Sequence, residues 1–99
     1  MFFPNGTTFQ PFLKGSSAGS ITTSNIADNN WHHFVWSRNG TQSCLYIDGV
    51  LQGCLAQSSQ ALSIAAGGLI IGQEQDSLAG NFDINQDWEG LVDEPLIFK

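Results

Sequence analysis

Glycine-containing turn signals divide this chain into short segments and constrain its fold more than any other feature. Asn-Gly or Asp-Gly pairs stand at residues 5–6, 39–40 and 48–49, and Lys14-Gly15 ends another segment. Such pairs favour tight hairpins because both positions tolerate positive φ. None of the segments between them has a convincing helical period. The pattern predicts an all-β fold, an antiparallel β-sandwich of short strands.

The segments between the turns are predicted as strands. They cover residues 2–3, 7–13, 20–26, 31–37, 42–47, 50–56, 67–73 and 88–99. Apolar or aromatic residues occupy both sets of alternating positions in the segment 31–37, so this strand is predicted to be central and covered on two faces. The serine-rich segment 58–66 spans about two helical turns and is predicted as a loop or the approach to a strand. At 99 residues, the chain is predicted to form one domain, residues 1–99.

The charge of the chain excludes several classes of partner. Its net charge is −6 with three basic residues, so it has no basic stripe with which to displace phosphate counterions. Nucleic acids and anionic membrane surfaces are therefore not expected partners. The longest apolar run, residues 64–71, is too short to insert across a bilayer. Cations, carbohydrates and proteins remain, and a surface with few charges favours association between copies.

Acidic residues are concentrated near the C-terminus. Seven of the nine acids lie between residues 74 and 94, and the three basic residues, Lys14, Arg38 and Lys99, all lie outside that interval. These seven are Glu74, Asp76, Asp83, Asp87, Glu89, Asp93 and Glu94. Because no basic residue is nearby in sequence, either water or a cation must meet this charge.

Two cysteines flank the hairpin signal at Asp48-Gly49. A turn over residues 48–50 would place Ile47 opposite Leu51 and Cys44 opposite Cys54, which makes a disulfide geometrically possible. The alternative is a pair of free thiols that fill a sheet surface. The sequence favours the disulfide between Cys44 and Cys54.

Two Asn-Gly-Thr tripeptides are acceptor sites for N-glycosylation. They begin at Asn5 and Asn39, and such a site is used only where the host glycosylates the chain. Together with the predicted disulfide, these sites favour an extracellular protein, secreted or at the cell surface.

Three separate motifs resemble those of a known family. The stretch NNWHHFVWSRNGTQSCLYIDGVLQG resembles the central hairpin of laminin-G-like and pentraxin domains, in which a W-H-H strand precedes a Y-x-D-G turn. LIIGQEQDSLAGNF resembles the pentraxin calcium loop, and WEGLVDEPLIF resembles the closing strand. The motifs follow the family order over residues 31–99, whereas residues 1–30 match only loosely, as strands. The chain looks like the second half of such a domain.

The resemblance implies a concanavalin-A-like jelly roll that binds ligands through calcium and does no catalysis. Carried over by position, the calcium ligands would be Glu74, the main-chain carbonyl of Gln75, Asp76, Asp83 and Gln86. The residues suit this role, because Glu74 and Asp76 are two apart at a strand exit and point to one side. Gly80 and Asn81 allow the loop to double back. Calcium takes about six to eight oxygen ligands, and this set would supply some of them.

Two departures from the family pattern bear on this expectation. Ala79 replaces the first glycine of the usual pair in the calcium loop. The family takes further ligands, an Asp-Asn pair, from a loop in the first half of the domain, and Asp28-Asn29-Asn30 is too close to the Trp31 strand to be equated with it. One ion rather than two is then possible. A truncated sandwich also exposes strand edges, which either residues 1–30 or neighbouring copies would cover, so a homo-oligomer or polymer is expected.

The remaining candidate residues have structural explanations. His32 and His33 are adjacent in a predicted strand, so their side chains point to opposite faces and cannot share a metal. Trp31, Trp36 and Tyr46 could stack on a sugar ring, with Trp36 and Tyr46 as the candidate ligand contacts, but such residues more often fill a core.

Catalysis is not expected, although this jelly roll also carries glycoside hydrolases. The hydrolase pattern places acids at i, i+2 and i+5 of one strand; Glu74 and Asp76 fill the first two positions, but Ala79 is the third. Retaining hydrolases need two carboxylates about 5–5.5 Å apart, one with a raised pKa. The sequence therefore predicts a non-enzymatic calcium-binding module for extracellular recognition or adhesion. The alternative is a self-assembling structural subunit, a fibre or an oligomer, in which calcium stabilises the protomer.

Overall fold

Strands, turns and irregular loops make up the part of the chain that the structure describes. The computed structural model describes residues 2–13, 16–57, 61, 63–67, 70–71, 77, 80–83 and 88–98. No helix occurs among these residues. The described part of the chain therefore has no helix that is long and apolar enough to cross a membrane. The predicted all-β class is confirmed. The chain divides into two compact units, Met1–Leu62 and Ser63–Lys99, which are described separately, and the single domain over residues 1–99 stays a prediction.

All the described strands lie in the first unit and pair antiparallel. They are β1 (Phe2–Asn5), β2 (Thr8–Gln10), β3 (Phe12–Leu13), β4 (Ser16–Ser17), β5 (Ile21–Thr22), β6 (Phe34–Asn39), β7 (Gln42–Ile47) and β8 (Val50–Ala56). They form a three-stranded sheet in the order β1-β2-β5, a β3-β4 pair, and a second three-stranded sheet in the order β6-β7-β8.

The core of the first unit lies between the two three-stranded sheets. Its buried members are Phe9, Ile21, Leu45 and Ile47, and Ile26, Trp36 and Leu55 pack against them. The ring of Phe9 lies edge-on to the rings of Phe34 and Trp36, with centroids 5.6 and 6.1 Å away. Alternate residues of β7 face inwards because strand side chains alternate between the two faces of a sheet. The two sheets therefore pack as a small sandwich, as predicted.

Gly53 marks a close approach between these sheets. It pairs with Leu45 across β7 and β8, and a β-carbon at this position would lie 3.0 Å from Cγ2 of Ile21 in β5. Any side chain here would have to displace Ile21, which is consistent with a glycine inside a strand where another element comes close.

The turn between β7 and β8 is shorter than predicted. Asp48 and Gly49 alone form it, with φ values of +52° and +80°, and a type I′ turn requires positive φ at both central residues. Ile47 therefore pairs with Val50 and not, as predicted, with Leu51. The three-residue turn was wrong by one residue because Asp-Gly satisfies the two-residue turn completely.

A β-bulge restores the predicted alignment of the cysteines. Tyr46 pairs with Leu51, the register then shifts by one residue, and Gln52 is left as the extra residue of β8. Cys44 consequently lies opposite Cys54, and the two form a disulfide. The predicted bridge is present, although the turn and the bulge that align it differ from the predicted register.

Strand β6 lies at the edge of its sheet among the described strands, so the predicted central position is not found in this part of the chain. It pairs with β7 and with no other described strand, and residues 31–33 precede it rather than belong to it. Its apolar side chains lie on both faces of the sheet. Phe34 and Trp36 face Phe9 in the core, whereas Val35 lies on the opposite face and is 38% exposed.

The second unit has an irregular backbone over its described residues. Ser77 and Gly80 exchange two main-chain hydrogen bonds, with N···O distances of 3.3 and 3.0 Å, and form an isolated antiparallel bridge. Apart from Gly80, every residue that the structure describes between 63 and 98 is exposed. The described part of this unit thus contains no buried side chain.

The two strands predicted in the second unit are not found in its described residues. Gly67 lies in a turn with φ +78°, and residues 70–71 belong to no ladder. Over 88–98, Glu94 has φ +45°, which is left-handed rather than extended, and Pro95 has no N–H to donate. Both features interrupt a ladder, so the prediction of a closing strand was wrong for these residues.

We expect Leu45→Ala to lower the free energy of unfolding by about 2–5 kcal/mol, because a fully buried side chain leaves a cavity. Urea denaturation followed by tryptophan fluorescence measures this change. Leu51→Ala is the matched control, since Leu51 lies on the next strand and is 53% exposed. Equal destabilisation by both substitutions would contradict the assignment of the core to the Leu45 face of the sheet.

Candidate functional site

The predicted calcium ligands lie mostly outside the described residues. Asp83 is the described member and is exposed; Glu74, Gln75, Asp76 and Gln86 are outside that part of the chain. Asn81 has φ +56°, next to the Ser77–Gly80 bridge. The chain therefore turns back where the sequence predicted a reversal. The ligand set itself stays a prediction.

The chemistry of the predicted donor set fits a hard cation. It consists of carboxylate, amide and main-chain carbonyl oxygens, which calcium prefers over nitrogen or sulfur donors. Within the described ranges, no group of three or more His, Cys, Asp or Glu side chains is arranged to hold a metal ion. Any such site in this chain therefore needs residues beyond those ranges, which is where four of the five predicted ligands lie.

The predicted stacking residues Trp36 and Tyr46 lie on opposite faces of the β6-β7-β8 sheet. Trp36 pairs with Leu45 and faces the core, and its Nε1 is buried with no hydrogen-bond partner. Tyr46 pairs with Val35 on the other face. The two rings cannot form one platform. Trp31, which precedes β6, is 66% exposed.

Both predicted glycosylation acceptors lie at strand ends. Asn5 ends β1 and Asn39 ends β6. Asn39 is exposed and adjoins the Gly40-Thr41 turn, so a glycan there would project beside a hairpin. The disulfide between Cys44 and Cys54 joins β7 to β8 in the same sheet.

A histidine held between two carboxylates is the most developed polar arrangement in the described part of the chain. Nδ1 of His32 lies 2.7 Å from Oδ2 of Asp48, and Nε2 lies 2.9 Å from Oδ1 of Asp28. The main-chain N–H of His33 donates to Oδ1 of Asp48 at 2.8 Å, and the N–H of Asn30 donates to Oδ1 of Asp28 at 2.9 Å. Each carboxylate thus has a second, main-chain donor.

Local sequence explains how each aspartate is placed in its own turn. Asp28 and Asn30 form a turn in which an aspartate accepts a hydrogen bond from the backbone two residues later, and Asn29 adopts φ +63°. Asp48 is the first central residue of the type I′ turn, and its own N–H donates to the carbonyl of His33 at 2.8 Å. Two turns that are distant in sequence are therefore joined through His32.

The hydrogen bonds shift the ionisation of all three side chains. Hydrogen bonds from His32 and Asn30 lower the pKa of Asp28 from 3.8 to about 2. Hydrogen bonds from the His32 ring and the His33 backbone lower the pKa of Asp48. The hydrogen bond to Asp48 and, as the second-largest cause, the hydrogen bond to Asp28 raise the pKa of His32 above 6.5. The side chains of Asp28 and Asp48 are 36% and 50% exposed, whereas that of His32 is 20% exposed, so salt weakens the interaction through the two carboxylates.

This network has no free nitrogen for substrate or metal chemistry. Both ring nitrogens of His32 are occupied by carboxylate oxygens that lie on opposite sides of the ring. The arrangement is suited to holding the chain in place. Sequence reasoning missed it, since it considered only whether His32 and His33 could share a metal. The available signal was the four-residue spacing from Asp28 to His32, together with an aspartate in the Asp-Gly turn.

Comparison with known proteins assigns the chain to a family. The Laminin_G_3 family, described as the concanavalin A-like lectin/glucanases superfamily, matches residues 2–99. No solved structure matches the chain.

Curated relatives support the same assignment. The human neuronal pentraxin receptor is 43% identical over 71 residues, which cover 68% of this chain and 14% of the receptor. Human pentraxin-4 is 32% identical over 70 residues, 68% of this chain and 15% of that protein. C-reactive protein 1.4 of Limulus polyphemus is 34% identical over 68 residues, 65% of this chain and 28% of that protein. The chain thus matches less than a third of each relative, and by its match over residues 2–99 it belongs to the laminin G-like family of the concanavalin A-like superfamily.

Proposed function

We propose that this chain is a non-enzymatic, calcium-binding module for recognition or adhesion outside the cell. The observation that carries the proposal is the acidic stretch of residues 74–94 in a laminin G-like domain. It holds seven of the nine acids and no basic residue. The described part of this stretch reverses direction near Ser77 and Gly80, as a loop must if it is to gather oxygen ligands around one ion.

Calcium would order this loop by bringing its two ends together. Glu74, the carbonyl of Gln75 and Asp76 would supply oxygens from one end, and Asp83 and Gln86 from the other. Carboxylates that converge repel one another until a divalent ion neutralises them, so binding and ordering of the loop would occur together. The exposure of Asp83 is compatible with a site at the protein surface that keeps one or more waters.

The two carboxylates that contact His32 are unsuited to the acid role of a glycoside hydrolase. A glycoside hydrolase needs a carboxylic acid with a raised pKa to protonate the leaving group. The carboxylates of Asp28 and Asp48 are instead hydrogen-bonded to His32, and their pKa values are lowered. They remain ionised at neutral pH and cannot act as general acids there.

The class of ligand follows from charge and surface. An acidic chain with 12% charged residues suits neutral carbohydrate or protein surfaces, and a bound calcium ion could contact hydroxyl or carboxylate oxygens of the ligand. The Cys44–Cys54 disulfide supports an extracellular location, because such bonds persist in oxidising compartments. Asn5 and Asn39 would carry glycans in a host that glycosylates them.

The alternative function is a self-assembling structural subunit, and the exposed apolar side chains of the second unit favour it. Five apolar side chains near its C-terminal end are between 52% and 86% exposed: Leu91, Val92, Leu96, Ile97 and Phe98. A cluster of this kind in a soluble monomer is unusual and commonly marks a contact surface. Calcium would in this case stabilise the protomer that assembles.

We expect calcium titrated into the chelator-treated protein to give a saturable heat, and Asp76→Asn to weaken binding by about tenfold or more. Isothermal titration calorimetry measures both. Glu89→Gln is the matched control, since it removes an acid of the same stretch that is outside the ligand set. Equal binding by the wild type and Asp76→Asn would remove the ligand assignment.

Light scattering after size exclusion separates the two functions. Under the assembly hypothesis, the mean mass rises with protein concentration, and the double substitution Leu96→Asp with Phe98→Asp lowers it by disrupting the apolar contact. Val50→Asp is the control, because Val50 is 62% exposed but belongs to the first unit. A mass of one chain at all concentrations, with calcium and with chelator, would exclude assembly.

A further inference from the structure

We propose that His32 is a proton-controlled clamp, which holds the loop over residues 27–30 against the Asp48-Gly49 turn and releases the loop when the ring loses a proton. The inference goes beyond the proposed function and does not depend on calcium binding.

The geometry requires a doubly protonated ring. Nδ1 and Nε2 of His32 lie 2.7 and 2.9 Å from carboxylate oxygens of Asp48 and Asp28. An ionised carboxylate only accepts hydrogen bonds, and a neutral imidazole has one N–H, whereas the imidazolium has two. Both contacts can therefore exist together only while His32 is a cation.

The groups around the ring reinforce this requirement. In the described structure, Asp28 faces the ring from the loop and Asp48 faces it from the turn. His33, the next residue, donates its main-chain N–H to Asp48 and interacts electrostatically with the same carboxylate. The N–H of Asn30 donates to Asp28. These main-chain donors keep both carboxylates ionised and aimed at His32.

Deprotonation would break the contact with the loop and not the contact with the turn. The Asp48 contact is the shorter one, and this carboxylate is also fixed by the backbone of His33. The neutral ring would keep its proton on Nδ1, and the lone pair of Nε2 would then face Asp28. Since two acceptors repel each other at this distance, the loop would move away.

The moving segment has defined limits. On its N-terminal side, the N–H of Ile26 donates to the carbonyl of Gly6 at 2.9 Å, which ties the chain to the turn between β1 and β2. On its C-terminal side, the carbonyl of His33 accepts from the N–H of Asp48. The clamp is thus the side-chain link between two main-chain anchors, and residues 27–30 lie between them.

The direction of the pH dependence follows from the charges. The pKa of His32 is raised above 6.5, so the clamp is complete below that value and is lost as pH rises through the raised pKa. On the acid side, the pKa of Asp28 is lowered from 3.8 to about 2, so its part is present above 3.8 and is lost as pH falls towards 2. Because the two carboxylates are exposed, the effect is local and weakens with salt.

The test follows the ring and the loop separately by NMR in the full chain. The Cε1 proton of His32 reports its titration, and amide exchange protection factors, corrected for the intrinsic pH dependence of exchange, report residues 27–30. We expect a His32 midpoint above 6.5 and a loss of loop protection of about two- to fivefold at the same midpoint. A midpoint at or below 6.5, or protection that does not change with pH, would overturn the proposal.

Three variants assign the effect to His32. His32→Gln should abolish the pH dependence of loop protection, and Asp28→Asn should lower the His32 midpoint while the Asp48 contact remains. His33→Gln is the matched control, because it removes the adjacent imidazole ring and keeps the main-chain N–H on Asp48. If the pH dependence persists in His32→Gln, or disappears in His33→Gln, the clamp is refuted; if His32→Gln does not fold, the midpoint in Asp28→Asn decides.

Discussion

Phe9 and Leu45 are both fully buried, and they meet between the two sheets of the first unit. Their contact decides which face of β7 is the inner one, because strand side chains alternate. With Leu45 and Ile47 inside, Cys44 and Tyr46 must lie on the other face, and the disulfide consequently joins β7 to β8 away from the core. The same register ends β7 at the turn whose aspartate binds His32. Core, disulfide and polar network are thus set by one register.

The negative charge of the acidic residues is compensated differently in the two units. The acids of the first unit, Asp28 and Asp48, share one histidine and two main-chain donors, so part of their charge is compensated within the fold. The acids of residues 74–94 have no basic residue in their own stretch. A calcium ion would compensate part of this charge, which is the physical basis for the proposed site.

Much of the first unit could be predicted from local sequence. The hairpin signals at residues 39–40 and 48–49 predicted β7 and β8 with their observed bounds, because Asn-Gly and Asp-Gly favour a tight turn. Strand β6 was predicted over 31–37 and is observed over Phe34–Asn39. The pairing of Cys44 with Cys54 was also predicted. The bulge at Gln52 was not, because a bulge depends on how β8 packs against Ile21 through Gly53. The strands predicted over 67–73 and 88–99 failed in their described residues, because apolar composition does not provide a pairing partner.

The sequence by itself determined the β class, the hairpins that align the cysteines, the family and the surplus of acid near the C-terminus. These properties depend on neighbouring residues or on composition. Only the tertiary structure decided that β6 pairs with β7 alone among the described strands, that Trp36 faces Phe9, and that His32 bridges Asp28 and Asp48. The physical reason is sequence distance: Asp28 and Asp48 lie 4 and 16 residues from His32. Two separate turns must fold against the segment that precedes β6 before one imidazolium can contact both.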